Sequence, residues 1–176
     1  MVFKDLKILV VEDSQTTQAV ITRILKSAGV EYVYTASDGQ EGLNIVHKED
    51  PDLVIVDWEM PLLDGIGFTQ IVRTGEDIPD NAIPILMCTT HYELARVMQA
   101  RAVGVTEFIT KPFTDKELVL RLRHALGTTR RYVISDAYTG PDRRRIRKEK
   151  IYQGPDRREK MPGENDIKPV SDPDSD

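Results

Sequence analysis

Apolar and polar residues follow one another along the first two thirds of the chain in blocks that predict strands and helices in alternation. Near-continuous apolar runs predict five buried strands, at residues 8–11, 32–34, 53–56, 83–87 and 105–109. Apolar residues at helical spacing predict helices over 15–28, 66–73, 92–102 and 114–127. A further helix is expected after Ser37 or Asp38, which are alternative N-caps.

These five β-α units predict one parallel sheet with helices on both faces, because parallel strands need a crossover connection and are buried on both sides. Gly29 is expected to end the first helix, and Thr114 with Glu117 forms a capping box that begins the last one. In sheets of this kind, ligands lie beyond the carboxyl ends of the strands. The chemistry of the protein is therefore expected in the residues that follow each strand.

Beyond Gly127 the composition changes, since aliphatic residues become sparse and Pro, Arg and Asp dominate. Residues 128–176 are interpreted as a largely disordered tail rather than a second domain. Its Arg-rich part covers 128–160, and its disordered acidic end, 161–176, cannot bury enough apolar surface to fold alone. Charge divides in the same way: residues 1–127 hold 12 Lys and Arg against 19 Asp and Glu, a net charge of −7. The next 33 residues carry +6 and the last 16 carry −4. A basic strip after an acidic body predicts an anionic partner for the strip.

Three features of the sequence bear on the compartment. No apolar run approaches the roughly 20 residues that a membrane span requires. The N-terminus lacks the basic and then apolar layout of a secretory signal. The single cysteine, Cys88, excludes an internal disulfide, and its apolar surroundings favour a small core residue over a reactive thiol. We therefore expect a cytoplasmic protein without a membrane span.

Polar side chains follow the predicted strands where ligands are expected: Glu12 and Asp13 after the first, Asp57 after the third, Thr89 and Thr90 after the fourth, and Lys111 after the fifth. Three clustered acids repel one another unless a cation lies among them, and hard oxygen ligands suit Mg²⁺. A metal there would offset the charge of an incoming phosphoryl group, so that a carboxylate can act as nucleophile. Lys111 can pair with one phosphoryl oxygen and a threonine hydroxyl can donate to another. The alternative, that the acids only cap helices or lie in turns, accounts for Glu12 or Asp13 alone but not for the whole set.

Three segments carry a family resemblance: Val11-Glu12-Asp13-Ser14, Asp57-Trp58-Glu59-Met60-Pro61-Leu62-Leu63-Asp64-Gly65 and Lys111-Pro112-Phe113. Together with Thr89 they resemble the receiver domain of CheY-type response regulators over residues 5–127. The resemblance implies a flavodoxin-like, doubly wound, five-stranded parallel sheet within residues 1–127. It also implies a phosphorylatable switch rather than a metabolic enzyme, with a sensor histidine kinase or phosphotransfer protein as partner.

The resemblance assigns roles to individual residues. It implies Asp57 as the phosphoacceptor, and Glu12, Asp13, Asp57 and the backbone carbonyl of Glu59 as the groups around Mg²⁺. Thr89 would be the switch hydroxyl, Lys111 the phosphate partner and Phe108 the switch aromatic residue. A cis Lys111–Pro112 bond is implied as well.

Two positions differ from the usual family pattern. Thr90 is bulkier than the small residue that commonly follows the switch hydroxyl, and Glu59 adds a carboxylate at the rim of the pocket. The sequence leaves open how either affects the lifetime of a phosphoryl group. Trp58, beside the acceptor, is expected at the surface or rim of the pocket.

The tail contains an internal repeat. Tyr138-Thr139-Gly140-Pro141-Asp142-Arg143-Arg144 recurs 14 residues later as Tyr152-Gln153-Gly154-Pro155-Asp156-Arg157-Arg158, with six of seven positions identical. Gly-Pro-Asp predicts a turn before two guanidinium groups. Arginine pairs bidentately with phosphate and with the edge of guanine, and its plane can stack on a base. Two identical half-sites suit a ligand with two-fold symmetry, such as cyclic di-GMP.

A receiver domain with this extension resembles the CheY-like cyclic di-GMP effectors of bacteria, the Cle group. That resemblance implies Arg143, Arg144, Arg157 and Arg158 as the main ligand contacts and Tyr138 and Tyr152 as stacking residues. Asp142 and Asp156 would orient the arginines or accept from guanine N–H groups. The receiver body would then be directed to a partner such as the flagellar motor switch.

The alternative is a phosphorelay shuttle or a motor-type switch whose basic tail only docks on an acidic protein, a membrane surface or a nucleic acid. Nothing after residue 127 resembles a DNA-binding helix pair, a nucleotide cyclase or a phosphodiesterase, which argues against a transcription factor and against a second-messenger enzyme.

Overall fold

Five parallel strands form the central sheet of the protein, in a computed structural model that describes residues 3–90, 93–127, 132–135 and 138–141, the last two segments by their backbone alone. The strands are β1 (Lys7–Val11), β2 (Tyr32–Ala36), β3 (Leu53–Asp57), β4 (Ile85–Thr89) and β5 (Glu107–Thr110). Their order across the sheet is β2-β1-β3-β4-β5, so the winding reverses between β1 and β3. Ligand sites in doubly wound sheets lie at such a reversal.

Five helices connect and cover the strands: α1 (Gln15–Ser27), α2 (Gly39–Glu49), α3 (Gly65–Thr74), α4 (Leu94–Ala102) and α5 (Asp115–Gly127). Alternate residues of a strand point to opposite faces, which produces two cores. Ile8 and Val10 pack with apolar residues of α1 and α5, whereas Leu9 and Val11 pack with residues of α2, α3 and α4. The predicted flavodoxin-like (βα)5 fold is confirmed.

Local sequence signals account for the helix ends. Asp38, rather than Ser37, is the N-cap of α2, and its carboxylate accepts from the backbone N–H of Glu41 at 2.8 Å. Thr114 and Glu117 form the predicted capping box, with the Thr114 backbone N–H donating to Glu117 Oε2 at 2.8 Å. Gly29 follows the end of α1 with φ +91°, a left-handed conformation that glycine adopts without steric cost.

Strand β4 begins two residues later than the apolar run predicts. Pro84 has no N–H to contribute to a ladder, and the carbonyl of Ile83 accepts from the guanidinium of Arg73 at 2.8 Å. The run therefore enters the sheet only at Ile85. Helix α4 also begins two residues later than predicted, at Leu94.

A two-stranded antiparallel hairpin follows α5 and was not predicted from the sequence. Its strands are β6 (Tyr132–Ser135) and β7 (Tyr138–Pro141), and the Cα atoms of β7 approach those of α3 to within 8 Å. Aromatic and β-branched residues favour strands, and both segments contain them, but the low aliphatic content of the tail concealed this signal. Strand β7 comprises the first four of the seven residues of the first repeat copy. The compact unit Met1–Arg143 includes the hairpin.

The surroundings of Cys88 and the character of the helices bear on the predicted compartment. Cys88 is completely buried within β4, on the face covered by α1 and α5, which confirms its interpretation as a core residue. Among the described helices, none combines the length and the apolar character that crossing a membrane requires.

Candidate functional site

The carboxyl ends of β1 and β3 bring three acidic side chains together. Glu12 and Asp13 directly follow β1, and Asp57 is the last residue of β3. Each of the three side chains offers a carboxylate oxygen within 4.8 Å of the others. Glu12 and Asp57 are buried, at 2% and 8% exposure, while Asp13 is exposed. The predicted acidic cluster is therefore present at the reversal point of the sheet.

Lys111 connects two of these acids. Its Nζ lies 2.7 Å from Oε2 of Glu12 and 2.9 Å from Oδ1 of Asp57. The backbone N–H of Lys111 donates to the carbonyl of Thr89 at 2.7 Å, which ties the loop after β5 to the end of β4. The Lys111–Pro112 peptide bond is cis, as predicted.

Burial governs the protonation of this cluster. Desolvation raises the pKa of Asp57, and the hydrogen bond from Lys111 only partly offsets the rise. Desolvation raises the pKa of Glu12 in the same way, with the charge of Asp57 adding to the effect. Burial alone would lower the pKa of Lys111, but its hydrogen bonds to the two carboxylates outweigh burial and raise it. Lys111 therefore compensates the negative charges of the buried Glu12 and Asp57 only in part. A further cation at the cluster would stabilise the ionised carboxylates.

The cluster fits a small divalent cation. Three carboxylates supply hard oxygen donors, and the exposed position of Asp13 leaves one side of the cluster open to water. Mg²⁺ takes few carboxylates and keeps several water ligands, so an open three-acid cluster suits it. Glu12, Asp13 and Asp57 are the side chains that would hold the ion.

Thr89 and Thr90 lie at the carboxyl end of β4, at the same edge of the sheet as the acidic cluster. Thr89 ends β4 with 2% exposure, and Thr90 after it is exposed. Met87 pairs in register with Phe108, and both pack in the core under α2, α3 and α4. Because Thr89 is two residues from Met87, it shares that face with the half-buried Phe108. The predicted switch hydroxyl and switch aromatic residue are thus on one side of the sheet.

The loop after Asp57 approaches the backbone closely at Gly65. A Cβ atom at Gly65 would lie 2.4 Å from the carbonyl oxygen of Asp57, a distance that no side chain can occupy. The N–H of Gly65 also donates to the carbonyl of Trp58 at 3.0 Å. Only glycine permits this loop to return so near to the acidic cluster.

The expectation for Trp58 was wrong. Its side chain is buried, with 6% exposure, and packs in the core under α2, α3 and α4, while its backbone N–H donates to the carbonyl of Cys88 at 2.9 Å. Trp58 stands between the acidic residues Asp57 and Glu59, and these neighbours suggested a surface position.

Sequence reasoning also missed Arg96 on α4. Its guanidinium carbon lies 5.6 Å from the centroid of the Trp58 ring, and its NH1 lies 3.2 Å from Oε1 of Glu59. Thirty-seven residues separate Arg96 from Glu59, and no local motif signals their meeting. The side chain of Glu59 is exposed.

The tail residues assigned to cyclic di-GMP fall mostly outside the part of the chain that the structure describes: Arg143, Arg144, Arg157, Arg158, Tyr152, Asp142 and Asp156. Tyr138 is described through its backbone alone, as the first residue of β7, where it pairs with Ser135. The proposed roles of these residues stay predictions.

Comparisons with known proteins address the first two thirds of the chain. The family model described as the response regulator receiver domain matches residues 8–123. The chain is 37% identical over 133 residues to a probable transcriptional regulator ycf27 of Guillardia theta, which covers 76% of this chain and 50% of that protein. The chain thus spans about half the length of the ycf27 relatives that it matches. Chemotaxis protein CheY-3 of Vibrio cholerae is 33% identical over 119 residues, which cover 68% of this chain and 90% of the relative.

Solved structures show the same similarity. Chemotaxis protein CheY4 of Vibrio cholerae superposes with a TM-score of 0.64 and 34% identity, covering 69% of this chain and 98% of that one. The receiver domain of sensor histidine kinase PA1611 from Pseudomonas aeruginosa superposes with a TM-score of 0.63 and 28% identity, covering 70% of this chain and 98% of that one. That structure is described with a magnesium ion coordinated in its active site cleft.

Proposed function

The chain belongs to the response regulator receiver domain family, and from that premise we propose that it is a signalling switch rather than an enzyme, and that it accepts a phosphoryl group on Asp57. The observation that carries the proposal is the position of the buried Asp57 carboxylate, 2.9 Å from the ammonium of Lys111 and within an acidic cluster suited to Mg²⁺. A sensor histidine kinase or a phosphotransfer protein would be the donor.

The chemistry follows from the side chains at the site. A carboxylate oxygen of Asp57 attacks the phosphorus of the donor, a P–O bond forms, and the bond between phosphorus and the donor's leaving group breaks. Lys111 then turns from the carboxylate to a phosphoryl oxygen, and the Thr89 hydroxyl donates to another. When bound, Mg²⁺ offsets the negative charge that the phosphoryl group brings. Glu12, Asp13 and Asp57, with the Glu59 carbonyl, are proposed to hold it.

The test is labelling with a small phosphodonor. Incubation with acetyl phosphate and Mg²⁺ should add one phosphoryl group to the wild-type protein, detected as a mass increase that hydroxylamine removes. Asp57→Asn should abolish the increase, while Asp5→Asn, which alters an exposed carboxylate away from the cluster, should keep it. Continued labelling of Asp57→Asn would refute Asp57 as the acceptor.

For the tail, the proposal is that the duplicated motif binds cyclic di-GMP. The duplication of Arg-Arg after Gly-Pro-Asp and the complementarity of guanidinium with both phosphate and guanine support it. Linking two half-sites in one chain raises affinity through effective concentration.

Calorimetry with cyclic di-GMP distinguishes specific binding of this ligand from general binding of anions by the tail. Arg144→Ala with Arg158→Ala should abolish the heat of binding, while the charge-matched control Arg147→Ala with Lys150→Ala should keep most of it. If the wild-type protein gives no heat of binding, cyclic di-GMP is eliminated as a ligand of the tail. Equal binding of any polyanion, collapsing with salt, would favour a tail that docks on an acidic macromolecule instead.

The chemotaxis relatives support a second candidate, a motor-type switch or phosphorelay shuttle whose tail only docks on another macromolecule. CheY-3, of which this chain covers 90%, is named a chemotaxis protein. On either candidate the flagellar motor switch is a proposed partner and the cytoplasm the proposed compartment. Pull-down of the motor switch protein with and without acetyl phosphate tests the partner.

A further inference from the structure

The side-chain amide of Gln18 joins the ends of two strands beside the acidic cluster. Gln18 is half-buried near the start of α1, and its Nε2 donates to the carbonyl of Glu12 at 3.2 Å and to the carbonyl of Ala36 at 3.0 Å. The backbone N–H of Glu12 donates to the same Ala36 carbonyl at 3.0 Å. Val11 and Ala36 form the last register pair of β1 and β2. The amide therefore continues the connection between these strands beyond their last pair.

The Glu12 carbonyl that Gln18 holds belongs to the peptide bond between Glu12 and Asp13. A peptide group is planar, so a restraint on its oxygen fixes the orientation of the whole plane and the direction in which the chain enters the next residue. The N–H of Glu12 is already bound to Ala36, so the backbone of Glu12 is restrained on both sides. The position of Asp13 is thus set by hydrogen bonds made one residue before it.

Asp13 differs from the other two acids of the cluster in how its side chain is held. Lys111 Nζ lies 2.7 Å from Glu12 and 2.9 Å from Asp57, and both of these carboxylates are buried. Asp13 is exposed, and within the described part of the chain no hydrogen bond or ion pair reaches its carboxylate. Its oxygen nevertheless lies within 4.8 Å of the other two acids. The backbone restraint is what keeps it there.

We propose that Gln18 is a positioning residue for the divalent cation: it fixes the peptide between Glu12 and Asp13, so that the Asp13 carboxylate can bind the ion together with Asp57. Both acceptors of Gln18 are carbonyl oxygens, so only a donor can serve at this position. A glutamine amide supplies two N–H groups without adding a charge beside the cluster. This inference rests on the proposed function of the acidic cluster.

The experiment measures the affinity for Mg²⁺ in Gln18→Met, which keeps the length and the helix propensity of the side chain but has no N–H to donate. Groups that orient metal ligands commonly contribute roughly 10- to 100-fold to metal affinity, so the Kd for Mg²⁺ should rise by about ten-fold. Calorimetry and the emission of Trp58 both follow the titration. Gln99→Met, the same change at an exposed position of α4, is the matched control and should keep the wild-type Kd.

A second variant guards against a loss of folding. Gln18→Asn keeps the amide but shortens its reach by one methylene group, so it should also weaken the binding of Mg²⁺. Urea denaturation in metal-free buffer verifies that each variant is folded before its affinity is measured.

A double-mutant cycle distinguishes positioning of Asp13 from a general loosening of the fold. The two hydrogen bonds of Gln18 are lost in any background, but only a protein with Asp13 has a ligand for them to position. Gln18→Met should therefore raise the Kd for Mg²⁺ in the wild-type background and leave it nearly unchanged in Asp13→Asn. In labelling by acetyl phosphate, the Mg²⁺ concentration for half-maximal rate should rise with the Kd, while the rate at saturating Mg²⁺ stays close to wild type.

Equal Kd values for the wild type and both Gln18 variants would overturn the inference. An equal rise in Kd in the two backgrounds would do so as well, because the effect would then not pass through Asp13. In either case, labelling of the wild-type protein leaves the proposed function intact. A wild-type protein that binds no Mg²⁺ would overturn the inference, and one that also accepts no phosphoryl group would overturn the proposed function with it.

Discussion

The ammonium of Lys111 donates to Oε2 of Glu12 at 2.7 Å, across 99 residues of sequence. The pair joins the loop after β1 to the loop after β5, at opposite ends of the receiver sequence. Lys111 is therefore part of the resting structure of the pocket as well as a proposed partner of the phosphoryl group. Four predictions on the pocket and its loop follow from the geometry.

The first concerns Lys111 itself. Lys111→Met leaves the buried carboxylates of Glu12 and Asp57 without their cation, so the free energy of unfolding at pH 7 in metal-free buffer should fall by roughly 2 kcal/mol. Denaturation by urea measures the change. Lys116→Met, at an exposed position of α5, is the matched control and should stay close to wild type. An equal loss of unfolding free energy in both variants would mean that the ion pairs of Lys111 make no specific contribution to stability.

The second concerns pH. Burial raises the pKa of Asp57, so the folded protein binds this proton more tightly than the unfolded chain does. The stability gained from binding this proton is therefore fully present below the ordinary carboxyl pKa. It is lost as the pH rises through the raised pKa that Asp57 has in the folded state. Asp57→Asn should accordingly be more stable than wild type at pH 7 without metal, and this gain should vanish toward about pH 4. Urea denaturation across that range measures it, and a gain that does not change with pH would contradict the assignment.

The third concerns metal binding. Mg²⁺ at about one hundred times its Kd should raise the free energy of unfolding by about 2.7 kcal/mol, because the ion binds only the folded cluster. Asp13→Asn removes an exposed acid of the cluster and should abolish most of the rise, whereas Asp5→Asn should keep it. The emission of Trp58, directly after Asp57, reports binding independently. Equal Mg²⁺ stabilisation in both variants would place the ion elsewhere.

The fourth concerns the loop after Asp57. Gly65→Ala would set a Cβ atom 2.4 Å from the Asp57 carbonyl, so the backbone must move and the protein should lose about 2 kcal/mol or more of stability. Labelling by acetyl phosphate should fall as well, because the acceptor moves with its backbone. In Gly127→Ala the new Cβ meets no described atom within 4 Å, and this variant should behave as wild type. A stable, fully active Gly65→Ala protein would show that the loop is not restrained there.

Much of the fold and the pocket could be predicted because the signals are local. Apolar runs identified all five strands of the central sheet, and the strand-end rule then brought Glu12, Asp57 and Lys111 together without any knowledge of tertiary contacts. The start of β4 was misplaced because the carbonyl of Ile83 accepts from Arg73, a contact that the apolar run does not reveal.

The features that were missed depend on how elements meet. The contact of Arg96 with Glu59 requires α4 to lie beside the loop after β3, which no periodicity encodes. The burial of Trp58 follows from the same packing, although acidic residues flank it on both sides. The β6–β7 hairpin was missed because overall composition outweighed two short strand-forming segments.

Cys88 has a practical consequence. Complete burial keeps reagents from its sulfur and raises the pKa of the thiol, so little reactive thiolate is available. Toward maleimides the folded protein therefore behaves as if it held no cysteine. A single new cysteine at an exposed position, such as Met98→Cys on α4, can carry a dye or spin label on a wild-type background, and the environment of that helix can be compared before and after Asp57 is modified.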